Sequence, residues 1–147
     1  MTTVKNCLDE KPQPIVLVCV GPNDTVVSAL QLMRDKRVRA VLVLEADHLK
    51  GIITQGDCAI KVLLPGLDAK QVLVKDVMTL DPVTVKLADP IEACTGLMAS
   101  RNFRHLPVLD AGKVVGVVSI GDVVKDSIRQ MGQQIYFLET YIKGHGV

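Results

Sequence analysis

The chain has 147 residues, with 17 lysines and arginines against 16 aspartates and glutamates, and its residues are 48% hydrophobic but only 3% aromatic. That length allows one compact domain or two half-size repeats sharing a core, and a core short of aromatics asks for β-branched strands packed under aliphatic helices. The balanced charge provides no basic field of the kind that draws in duplex DNA or RNA, so nucleic acid is not an expected partner.

The N-terminus, Met1 to Pro14, mixes Lys5, Asp9, Glu10 and Lys11 with two prolines and lacks the apolar centre of a signal peptide. No apolar run along the chain approaches the roughly 18 residues of a spanning helix, so the expectation is a soluble, cytoplasmic protein with no membrane partner. Cys7, Cys19, Cys58 and Cys94 are far apart, form no C-x-x-C and have no histidine beside them. Reduced structural thiols fit that pattern better than a zinc site or a disulfide framework.

The first element is a short strand, Val16 to Val20. Apolar Val26, Ala29, Leu30 and Met33 then recur at helical spacing between Asp24 and Lys36, with Asp24 or Thr25 placed to cap the helix. Ala40 to Leu44 and Leu49 to Thr54 are aliphatic runs separated by the polar Glu45-Ala46-Asp47-His48, which reads as a buried hairpin. A second helix runs from about Gln55 to Leu64. After the segment 65–81 the same series returns: strand Val83 to Val85, helix Pro90 to Arg101, strands His105 to Leu109 and Lys113 to Ser119, and a helix from Ile120.

The two series superpose at a constant offset of 65 (89 − 24), which places Leu32-Met33 on Leu97-Met98, Arg39 on Arg104, Gly51 on Gly116 and Gly56-Asp57 on Gly121-Asp122. The expected fold is therefore α/β (α+β), two tandem β-α-β-β-α repeats at residues 14–64 and 82–127, joined by 65–81 and extended by a helix over 128–147.

Gly51-Ile52-Ile53-Thr54-Gln55-Gly56-Asp57 and Gly116-Val117-Val118-Ser119-Ile120-Gly121-Asp122 resemble the closing G-h-h-[ST]-x-x-D of CBS domains, and Arg104-His105-Leu106-Pro107-Val108 and Val77-Met78-Thr79 look like the same family. The resemblance covers roughly residues 14 to 127. It implies a stand-alone, pseudo-two-fold pair of repeats (a Bateman module) whose clefts hold adenosine-containing ligands, assembled as a disc-shaped homodimer.

Thr54 with Asp57, and Ser119 with Asp122, have the spacing of a capping box, which would stabilise a helix start with no ligand at all. The other reading has the carboxylate accepting hydrogen bonds from ribose hydroxyls while the hydroxyl side chain and the helix-start N–H groups face sugar or phosphate. Arg34, Lys36, Arg37 and Arg101 read as surface cations at helix C-termini. Arg39, Arg104 and His105 stand at the start of buried strands, where the family places phosphate-contacting side chains, and an arginine fork suits phosphate. Val18, Val20, Val83 and Val85 with Ala40 and Pro107 are candidates for the wall of an adenine slot, or equally for ordinary sheet core. No aromatic is expected to stack on a base. Gln55-Gly56 departs from the charged pair common in relatives, and Ala40 stands where the other copy has His105, so the second repeat is expected to have the better-furnished cleft.

Val124, Ile128, Met131, Ile135, Leu138 and Ile142 alternate in steps of four and three, a coiled-coil-like seam that outruns its own repeat and asks for a second subunit. No metal-ligand cluster, P-loop or nucleophile elbow appears, and His105 has no nucleophile beside it in the motif. The function expected is thus a non-catalytic regulatory module that binds AMP, ADP, ATP or NAD, needs no cofactor and acts on an unidentified protein partner. The alternatives are a dimeric adaptor without ligand and a sensor of S-adenosylmethionine.

Overall fold

The computed structural model describes residues 2–145, so the last two residues of the C-terminal extension lie outside the described part. Two small sheets carry the two repeats. The first has the order β1-β2-β3-β4, built from Cys19–Val20, Ala40–Glu45, His48–Thr54 and Thr79–Leu80. The second has the order β5-β6-β7, built from Val85–Lys86, His105–Asp110 and Lys113–Ser119. In each, the lead-in strand pairs parallel with the first hairpin strand, and the hairpin pairs antiparallel through a two-residue turn, Ala46-Asp47 or Ala111-Gly112, with positive φ at both positions. Both lead-in strands are shorter and lie later than the sequence suggests, because only Cys19–Val20 and Val85–Lys86 reach ladder register.

The helices follow from the apolar spacing. Helix α2 (Val26–Lys36) buries Val26, Ala29 and Met33, and α4 (Ile91–Arg101) buries Ile91, Cys94 and Met98 at the matching positions. Thr25, rather than Asp24, caps α2 by accepting from the Ser28 N–H, while the Asp24 carboxylate closes the preceding turn by accepting from the Gly21 N–H at 2.7 Å. Asp89 does the same for Lys86 at 2.8 Å, so the duplication extends to its turn chemistry. The second helix of repeat one, α3 (Gln55–Cys58), continues as a π-helical turn over Ala59–Leu63. Its counterpart α5 runs unbroken from Ile120 to His145, 26 residues.

The segments before each repeat are structural. Helix α1 (Val4–Asp9) inserts Val4, Cys7 and Leu8 into the core of the second repeat, and the 65–81 segment inserts Val74 and Val77 into the core of the first. The matching pieces are Val4-Lys5-Asn6-Cys7-Leu8 and Val74-Lys75-Asp76-Val77-Met78, related by an offset of 70 (74 − 4). Gly51 and Gly116 make room for them. A Cβ on Gly51 would sit 2.6 Å from the Thr79 carbonyl oxygen and 2.8 Å from Met78 Sδ, and one on Gly116 would sit 2.8 Å from a Leu8 methyl.

Among the described residues no helix is long and apolar enough to cross a membrane, and no group of His, Cys, Asp and Glu side chains could hold a metal ion. The four cysteines are free, with Cys19 exposed and the other three buried.

Candidate functional site in the cleft between the repeats

Each repeat turns from strand into helix through a complete reciprocal cap. The Thr54 hydroxyl accepts from the Asp57 N–H and the Asp57 carboxylate accepts from the Thr54 N–H, both at 3.0 Å. Ser119 and Asp122 repeat this at 3.3 and 2.8 Å. The capping reading therefore holds in both copies, and it fixes the direction of each carboxylate.

Backbone bonds then fix the cations opposite. The Gln55 N–H donates to the Arg39 carbonyl at 3.0 Å and the Ile120 N–H to the Arg104 carbonyl at 2.9 Å, which ties each arginine to the capped turn of its own repeat. A cavity of about 970 Å³ collects residues of both repeats. Thr54, Asp57, Ser119, Arg39, Arg104, His105, Val18, Val83 and Ala40 line it. Val20, Val85, Pro107 and Asp122 are not among its lining residues; Val85 and Pro107 are buried, Val85 within the core of the second repeat.

Among the lining residues outside the set of site candidates, three bear on the chemistry of the cavity. Arg37, read as a surface cation, reaches the cavity wall, because its left-handed C-cap conformation turns the chain off α2 toward the cleft. Phe103 lines the cavity too, an aromatic that the sequence reading did not place there. Lys11 is the third. Its ammonium pairs with Asp122 Oδ2 at 2.8 Å and donates to the Val117 carbonyl at 2.8 Å. For Phe103 and Arg37 the signal was position, immediately before a cleft arginine or two residues ahead of one; for Lys11 there was none, since it lies outside the repeat.

The wall carries Lys11, Arg37, Arg39 and Arg104 against one carboxylate, Asp57. That excess favours an anionic guest. His105 feels it directly. Burial lowers its pKa from the usual 6.5; Asp122 opposes that, and Arg104, Lys11 and Arg39 add to it. Burial pushes the Asp122 carboxyl up, but hydrogen bonds from Lys11 and the Ser119 N–H and the charge of Lys11 outweigh it, leaving it below 3.8.

The CBS domain profile matches the chain twice, over residues 13–63 and 74–129. The chain belongs to the CBS-domain family. A CBS domain-containing protein of Bacillus subtilis, YhcV, is 31% identical over 134 residues, covering 91% of this chain and 89% of that one. A mitochondrial CBS domain-containing protein of Arabidopsis thaliana, CBSX3, is 33% identical over 127 residues, and this chain spans 62% of its length. Among solved structures, a CBS domain, NE2398, superposes with a TM-score of 0.81 at 42% identity, covering 86% of this chain and 98% of that one. CBSX2, solved in complex with AMP, superposes with a TM-score of 0.71 at 30% identity over 88% of this chain and 98% of that one. The two tandem repeats seen in the sequence are thus CBS repeats, and the cavity lies between them.

Proposed function

We propose that this CBS pair is a non-catalytic regulatory module that binds an adenine nucleotide, AMP, ADP, ATP or NAD, in the cleft between its repeats. The observation that carries this is the composition of the cavity between the repeats. Aliphatic strand residues and Phe103 offer an apolar slot, Asp57 on a capped turn offers an acceptor for sugar hydroxyls, and Arg39, Arg104 and Arg37 offer forks for phosphate. The AMP complex of CBSX2 supports the same reading. A cytoplasmic setting suits the four free thiols.

A homodimer completes the proposal. Ile60, Leu63 and Leu64 on the first repeat's second helix, and Ile128, Ile135, Leu138 and Ile142 on α5, are all more than half exposed. Two aliphatic helix faces of this size in one chain fit a helix-mediated contact with a second copy. The adaptor alternative rests on the capped carboxylates, which are already satisfied internally.

Calorimetric titration of the full chain with AMP, ADP, ATP, NAD and S-adenosylmethionine tests the ligand. Asp57→Ala is expected to weaken binding of the preferred nucleotide by about 10- to 150-fold, the loss of a hydrogen bond to a charged acceptor worth about 1.5–3 kcal/mol. Absence of heat with every compound would favour the adaptor.

A further inference from the structure

The two preceding segments match over five residues each, but the stretch that follows them does not. Leu8 to Val18 takes ten steps where Met78 to Val83 takes five, so the N-terminal arm carries a five-residue insertion (70 − 65). In the first repeat the shorter connection lies along the hairpin edge as β4, with Leu80 opposite Gly51 and Thr79 opposite Ile52. Among the described residues the second sheet stops at β7 and has no such strand. At the matching place, the Val117 carbonyl takes its bond from Lys11 Nζ instead.

The arm is held for that purpose. Glu10 pairs with Arg129 of α5 at 2.9 Å, and the Gln13 amide donates to the Leu8 and Lys11 carbonyls at 3.0 Å, folding the loop onto itself. Lys11 and Asp122 are only 31% and 16% exposed, so their pair is partly shielded from solvent. In the first repeat, Lys61 makes the corresponding pair from Asp57's own helix, longer at 3.4 Å, while donating to the Val77 carbonyl at 2.9 Å; Asp57 is as shielded as Asp122, at 15%, but Lys61 is 47% exposed. The consequence shows on the cavity wall: Asp57 lines it, Asp122 does not, and Lys11 does.

We infer that Lys11 is the residue that makes the cleft one-sided: a tethered counter-ion seated on Asp122, which a ligand's hydroxyls must displace before the second repeat's half of the cleft can be filled. This deepens the nucleotide reading above and rests on it. The first half, with Asp57 on the wall and Lys61 held on it only at 3.4 Å, takes ligand more readily. The second half takes it only when the arm withdraws.

The test uses the full chain and AMP, followed by calorimetry in the wild type, Lys11→Met and Lys11→Gln, the last keeping a donor for the Val117 carbonyl. The wild type is expected to fill one half per chain and to bind a second AMP at least 10-fold more weakly. In both variants the second half is expected to tighten to within about threefold of the first. Separately, acetic anhydride labelling of the ligand-free wild type should modify Lys11 at least 10-fold more slowly than Lys125, and Asp122→Asn should remove that protection. Equal AMP affinities in the second half with and without Lys11, or weaker ones without it, would overturn the inference while leaving nucleotide binding intact. AMP bound by none of the three proteins would overturn the nucleotide reading itself and the gating with it. A Lys11 that labels as fast as Lys125 would overturn the seated counter-ion whatever AMP does.

Discussion

Arg104 shows how one residue is given a task by its neighbours. It precedes β6, its carbonyl is held by Ile120, and its side chain joins Lys11 and Arg39 around the cavity that also holds His105. Under the nucleotide reading its guanidinium meets phosphate rather than base, so Arg104→Ala is expected to weaken AMP by about 10-fold or more while changing adenosine affinity little. Equal losses for the two compounds in parallel titrations would count against it. His105 gives a second prediction at this scale. Its folded pKa lies below the unfolded 6.5, so below that pH the unfolded chain binds a proton more readily than the folded one. Stability should therefore be unaffected by this group above about pH 6.5 and fall as the pH drops from there toward the folded pKa. Melting curves of wild type and His105→Gln between pH 7.5 and 5 would show a shallower decline in the variant.

Among the elements, the hairpins and helices obey local rules twice over, and the preceding segments are what lock them. Gly51 and Gly116 sit beneath those segments, and the two contacts differ in kind: Gly51 faces a backbone carbonyl as well as Met78, whereas Gly116 faces only the flexible Leu8 side chain. Gly51→Ala is therefore expected to be the more damaging substitution, within the roughly 1–3 kcal/mol range of core overpacking, and Gly116→Ala the milder one. Urea unfolding of both variants checks the order. The inserted arm belongs to this scale too, since it replaces a strand by one ammonium on the edge of β7.

For the whole molecule, the seam on α5 decides assembly under the homodimer proposal. Ile135, Leu138 and Ile142 are 58%, 57% and 63% exposed, and three aliphatic side chains buried on a partner would each contribute about 1.5–3 kcal/mol. Leu138→Asp is expected to weaken the dimer at micromolar concentration in sedimentation experiments. Because Ile60, Leu63 and Leu64 offer a second apolar face, some dimer should survive. A dimer indifferent to Leu138→Asp would leave the contact to that second face.

The amino-acid sequence by itself determined the duplication, the β-α-β-β-α order of each copy and the capped turns, because periodicity, turn chemistry and the S/T-x-x-D spacing are local and act within a few residues of one another. The same locality made Thr54, Asp57, Arg39 and Arg104 recognisable together, each lying in one motif at one offset. Only the tertiary structure decided that α1 and Val74 to Met78 complete the two cores, since their partners lie in the other sheet's hairpin or across a long stretch of chain. It alone brought Phe103 and Arg37 to the cavity wall. Above all it set Lys11 on Asp122, 111 positions away (122 − 11), a pairing that no spacing encodes because it depends on where a five-residue insertion closes against the second repeat.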